Sequence, residues 1–109
     1  DSGAAGGLRL IQLQEEASFR PSGWRNSREL NGGGMLIDGG IHKVDILIYL
    51  AGMPEQVFAA SLPQGLPGTD GEDGVVVMTV SPTGVVGVIN HSWTAAQRPG
   101  PPWAKYISR

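Results

Sequence analysis

The 109 residues contain no cysteine. That absence removes disulfides, thiolate zinc sites, iron–sulfur clusters and cysteine nucleophiles together, and it fits a cytoplasmic setting. Charged residues are scarce at 17%, and they nearly cancel to a net charge of −2. Such a chain has no basic face for nucleic acid or an anionic membrane surface, so neither partner is expected. No run of 18 apolar residues occurs, so no segment reads as a membrane span. The opening residues, Asp1 to Gly7, carry no initiating Met and no signal-peptide apolar stretch; they read as a flexible lead-in.

What is plentiful is glycine, 17 residues, with 8 prolines beside it. This is too much for a helical bundle and shows no collagen period, so many turns are expected. The length suits one domain or a piece of one. Alternation over Leu8–Phe19 predicts a strand with Leu8 and Leu10 on one side and Arg9, Ile11 and Leu13 on the other. Residues 20–25 read as a loop, and Gly32–Gly34 as a hinge. Met35 to Ala51 predicts a long helix stopped by Gly52 and Pro54. Strands follow at Gln56–Ser61, Val75–Val80 and Val85–Trp93, the last two joined by a tight turn at Ser81-Pro82-Thr83-Gly84. Between them, 63–74 is a loop whose Asp70, Glu72 and Asp73 read as a solvated turn. Residues 98–109 hold a Pro-rich segment and the start of one further strand.

This order predicts an α+β fold: a mainly antiparallel, mixed open sheet with a long helix packed on one face. The body runs over 8–97. The valine-rich hairpin does not alternate with polar residues, so both its faces need cover. The helix can cover one. The other is expected to meet a second copy, giving a homo-oligomer through the sheet.

On a helical wheel Ile37, Ile41, Val44, Ile48 and Ala51 share a face, with Leu36, Leu47 and Leu50 beside them. Asp38, His42, Asp45 and Tyr49 form a narrow polar stripe. Such a stripe ordinarily faces water. Gly39 and Gly40, however, each disfavour the helix by about 1 kcal/mol relative to Ala, and bare backbone of this kind lets another group come close. An acid, an imidazole and bare backbone on one helix suit proton transfer, with Asp38 orienting His42. A metal held by Asp38 and His42 is the weaker alternative: with His91 the one other imidazole and no cysteine, no metal site is expected.

The run Gly32-Gly33-Gly34-Met35-Leu36-Ile37-Asp38-Gly39-Gly40-Ile41-His42-Lys43-Val44-Asp45 resembles the glycine-rich signature of the glucose–fructose oxidoreductase, inositol dehydrogenase and MocA-type (Gfo/Idh/MocA) oxidoreductases. Trp24-Arg25 upstream, Leu47–Gly52 with Pro54, Val57 and Ala59, Glu72-Asp73, and Ser92-Trp93 resemble that family's flanking motifs in the same order. The resemblance covers about residues 8–95 and implies part of the C-terminal α+β domain of a two-domain dehydrogenase. Its missing partner would be an N-terminal Rossmann domain holding NAD or NADP, and its substrate a sugar, polyol or related hydroxyl compound. By the resemblance His42 is the acid/base, Asp38 assists, Trp24 and Arg25 contact substrate, and Gly39 and Gly40 face the nicotinamide. The family's catalytic lysine lies in an "EKP"-type motif of the first domain, which this chain lacks, and Lys43 and Lys105 are out of place for it. A strand followed by G-x-G-x-x-G is lacking too, so this chain alone is expected to be inactive and to bind no nucleotide. Two other readings stay open: a non-catalytic sheet module used for assembly, and a metal-dependent hydrolase built on Asp38 and His42.

Overall fold

The structure, a computed structural model, describes residues 7–16, 20–97 and 106–108. Most of the lead-in, the end of the first strand at 17–19 and the Pro-rich segment at 98–105 lie outside them. The fold is α+β. Strands β1 (Leu10–Glu16), β2 (Gln56–Ser61), β3 (Gly74–Val80) and β4 (Val86–Ser92) form an open mixed sheet in the order β1-β4-β3-β2. β1 runs parallel to β4, and the other two pairings are antiparallel. β5 (Ala95–Gln97) and β6 (Tyr106–Ser108) pair separately, so the further strand foreseen near the end of the chain is present. Among the described residues no helix is long and apolar enough to cross a membrane.

The alternation predicted for β1 holds: Ile11 is buried and Leu13 packs on the core, whereas Leu8 and Leu10 are exposed. The β3–β4 hairpin closes through Ser81, whose N–H donates to Val85 O (2.9 Å) and whose hydroxyl accepts from Val85 N (3.0 Å). Val75 and Val77 point into the core, while Val76 and Met78 are exposed on the opposite face. Both faces of the hairpin are therefore apolar, as the lack of alternation implied.

The long helix has two parts. Leu36–Gly40 is a π-helical turn, and α-helix continues over Ile41–Ala51. A further short helix, α1, spans Arg28–Asn31; we label Ile41–Ala51 α2. α1 was not anticipated, although Ser27 is a regular N-cap signal and its hydroxyl accepts from Leu30 N at 3.2 Å. α2 ends at Gly52, whose φ of 82° suits glycine and whose N–H donates to Ile48 O (2.8 Å).

The face that α2 and its π-turn present to the sheet differs from the wheel. Leu47 is buried and Leu36 and Val44 pack on the core, but Ile37 and Ile41 are 50% and 43% exposed. In the π-turn each residue turns through less than 100°, so one wheel misplaces 35–40 relative to 41–51. Tight contact between layers then comes from glycine. At Gly87 of β4 a Cβ would collide with the Leu47 side chain and the Thr79 hydroxyl. The core cluster comprises Met35, Leu47, Val75, Val77, Ile89 and Trp93.

Candidate functional site

The signature turn is held at its start by the acidic loop. Glu72 O accepts from Met35 N (2.8 Å), and Glu72 Oε1 accepts from Leu36 N (3.0 Å). A carboxylate there satisfies a free helix-start amide and complements the helix dipole. Gly34 permits this approach, since a Cβ on it would fall on the Glu72 backbone and carboxylate. Asp73 is 1% exposed and accepts from Gly65 N (2.8 Å) and Leu66 N (2.6 Å). Asp70 Oδ1 accepts from Arg28 N. The reading of 70–73 as a solvated turn is therefore corrected at Glu72 and Asp73, whose carboxylates satisfy backbone amides of other segments, while Asp70 is exposed as expected.

Two of the predicted site residues meet. Arg25, in a 3₁₀ turn at Gly23–Asn26, stands with Nε 3.4 Å from Asp38 Oδ2 and lies over the Trp24 ring, 5.2 Å from its centroid. The Asp38 side chain is 14% exposed, and its Oδ2 makes no hydrogen bond, so the ion pair is close without being aligned. Trp24 is exposed. His42, Asp45 and Tyr49 are exposed on the outer side of α2, Tyr49 by 86%. The stripe thus begins half-buried at Asp38 and faces outward from His42 on.

Gly39 and Gly40 are faced from below by a residue of this chain. A Cβ on Gly39 would lie 3.3 Å from His91 Cε1, and one on Gly40 would lie 3.5 Å from His91 Nδ1 and 2.8 Å from Leu36 Cδ1. His91, on β4, is 1% exposed. Its Nε2 is 3.0 Å from Glu15 Oε2, and its Nδ1 has no hydrogen-bond partner. Glu15 stands opposite His91 in the β1–β4 register, and its other oxygen is 3.3 Å from Lys43 Nζ. Burial, followed by the nearby Lys43 ammonium, holds the His91 pKa below its ordinary value against the opposing pull of Glu15. Since a carboxylate only accepts, Nε2 carries the proton of the neutral ring.

The profile of the GFO/IDH/MocA C-terminal domain family matches residues 1–105. The chain belongs to that family. Among solved structures it is similar to an NAD-binding oxidoreductase from Klebsiella pneumoniae, at 27% identity and a TM-score of 0.73 over 88% of this chain and 29% of that one. An aldose-aldose oxidoreductase from Caulobacter crescentus, complexed with glycerol, gives 26% identity and a TM-score of 0.74 over 84% and 28%. A levoglucosan dehydrogenase in complex with NADH gives 27% and 0.72 over 90% and 29%. The chain therefore spans under a third of the length of these proteins. A comparison with curated sequences finds no match.

In this GFO/IDH/MocA C-terminal domain, Asp38, Gly39, Gly40 and His42 follow one another through the π-turn into α2, with Arg25 beside Asp38. Glu15, Lys43 and His91 were not singled out by sequence reasoning as a group. The available signal was phase: Ile11, Leu13, Glu15 and Gly87, Ile89, His91 occupy the core-facing positions of paired strands, where charged or imidazole side chains are unusual. Among the described residues no three of His, Cys, Asp and Glu gather so as to hold a metal ion, and the hydrolase reading gains no further ligand.

Proposed function

We propose that this domain forms the substrate-side wall of a nicotinamide-dependent oxidoreductase acting on a sugar, polyol or related hydroxyl compound. The observation that carries the reading is the pairing of Arg25 with the half-buried Asp38 on the signature turn, one turn before the exposed His42. Similar proteins include an NAD-binding oxidoreductase, an aldose-aldose oxidoreductase complexed with glycerol and a levoglucosan dehydrogenase complexed with NADH, which supports this substrate and cofactor class. A nicotinamide nucleotide, held by an N-terminal Rossmann domain, would supply the hydride acceptor or donor. On this chain His42 takes the hydroxyl proton and gives it back in the reverse direction. Asp38 orients the imidazole and the substrate hydroxyl. Arg25, stacked over Trp24, contacts the substrate's polar groups. Gly40 is buried, so Gly39, half-buried, is the part of the turn that a nicotinamide ring would approach.

In the parent enzyme, His42→Asn is expected to lower turnover by about 10² to 10⁴ with nucleotide affinity nearly unchanged. Steady-state kinetics giving less than a fivefold loss would remove His42 from the acid/base role. This chain alone is expected to bind NADH no more tightly than roughly 100 μM, because nothing in it clamps the pyrophosphate. Calorimetry showing tighter saturable binding would contradict that.

A second role is assembly. Phe58, Met78 and Val88 lie side by side in register on the sheet face away from α2, with Phe58 and Met78 exposed. That face suits a second copy of the same domain. A clean monomer by sedimentation at micromolar concentration would count against it.

A further inference from the structure

Beyond the residues that meet substrate, the structure contains a buried group with no part in the mechanism above. His91 lies directly beneath the turn that carries Asp38 and leads into His42, with Gly39 and Gly40 packed against its ring. Glu15 holds the ring from the far side through Nε2, and Lys43, on α2 itself, holds Glu15. The links run in a closed circuit: from β1 through Glu15 to Lys43 on α2, along the helix to Gly40, and down through His91 to β4, which pairs with β1. A π-helical turn with two adjacent glycines is intrinsically weak, since glycine disfavours helix and the wider turn packs its own backbone poorly. A Cβ at 39 would press on the imidazole at 3.3 Å, and one at 40 would touch the ring at 3.5 Å and overlap the Leu36 methyl at 2.8 Å. The weak turn and the buried ring are therefore built around each other.

We infer that His91, oriented by Glu15, is a positioning residue for the signature turn: it sets where Asp38 and His42 stand without touching the substrate. The inference rests on the proposed role of His42 for its catalytic consequence, but not for its structural one. A flat neutral ring suits this place. It packs against bare backbone, and its one N–H is taken by Glu15, which stops the ring from rotating in its slot.

The test uses His91→Phe, which keeps a ring but loses the link to Glu15, and His91→Gln, which keeps a donor at about the reach of Nε2. Both are made in the parent enzyme. Hydrogen exchange is followed in peptides covering residues 36–43 and, as a remote reference, 75–80. For His91→Phe the expected result is exchange at least tenfold faster across 36–43, with less than twofold change across 75–80. Turnover should fall about tenfold with the KM values for nucleotide and substrate within twofold. His91→Gln should restore most of both. Equal acceleration in both peptides would mean that His91 is a general core residue and would overturn the inference. So would an unchanged 36–43 peptide. A loosened turn with unchanged turnover, in an enzyme that His42→Asn inactivates, would overturn it as well. If His42→Asn proves harmless, the acid/base reading falls, and positioning is then decided by the exchange data and their rescue alone.

Discussion

The two histidines of this chain sit on opposite sides of the same helical turn. His42 is exposed on α2 and lies in a polar stripe with Asp45 and Tyr49. His91 is sealed between β4 and Gly39–Gly40, tied through Glu15 to Lys43, and held neutral by burial. One imidazole stands open on the outside of the helix; the other is shut in beneath it. The same split runs along α2 as a whole. Its inner side is close-packed through Leu47 on Gly87, while its outer side leaves Ile41, Ile46 and Leu50 uncovered. Packing strength and chemical availability are separated across the thickness of one helix.

The sharpest way to break this contrast is truncation on each side. Leu47→Ala should destabilise the domain by about 3 kcal/mol, since a fully buried leucine leaves a cavity under the helix. Leu50→Ala, half exposed, should cost well under 1 kcal/mol in the same urea titration. Comparable losses at both positions would mean that the outer side is packed as well. A smaller effect is expected at Gly87→Ala, about 2 kcal/mol, because the new methyl has to displace Leu47 and the Thr79 hydroxyl. Melting that is unchanged or improved would show that the two layers have slack.

The pH response sharpens the comparison further. The His91 pKa is lowered in the folded state, so the unfolded chain takes up this proton first as pH falls. The contribution of the neutral ring is complete above the unfolded value of about 6.5 and is lost progressively below it, until the folded ring also protonates. Stability should therefore decline from pH 7 to pH 5.5, and His91→Gln should flatten that part of the curve. A slope unchanged by His91→Gln would assign it to other groups. The smallest effect is expected at His42→Ala, within about 0.5 kcal/mol of the parent, because an exposed side chain without packing contributes little to folding. A larger loss would place His42 in the structure rather than at its surface.

Much of this protein follows from local pattern. The β1 alternation, the valine hairpin with its Ser81–Gly84 turn, the helix stop at Gly52 and the α+β class are short-range consequences of residue size, φ preference and period. The signature containing Asp38, Gly39, Gly40 and His42 was legible for the same reason: its residues are close in sequence. The rest depends on pairing between distant segments. Which face of the helix turns inward was decided by the π-turn and by Gly87, not by the apolar spacing of Ile37 and Ile41. The work of Asp73 and Glu72 as partners of amides elsewhere in the chain, the meeting of Arg25 with Asp38, and the Glu15–His91–Lys43 cluster all arise from contacts across 7 to 76 residues of chain. Sequence determines that a polar group exists and what it can bond to. Only the register of β1 on β4, and the close approach that glycine allows between helix and sheet, decide which partner it meets and whether water reaches it.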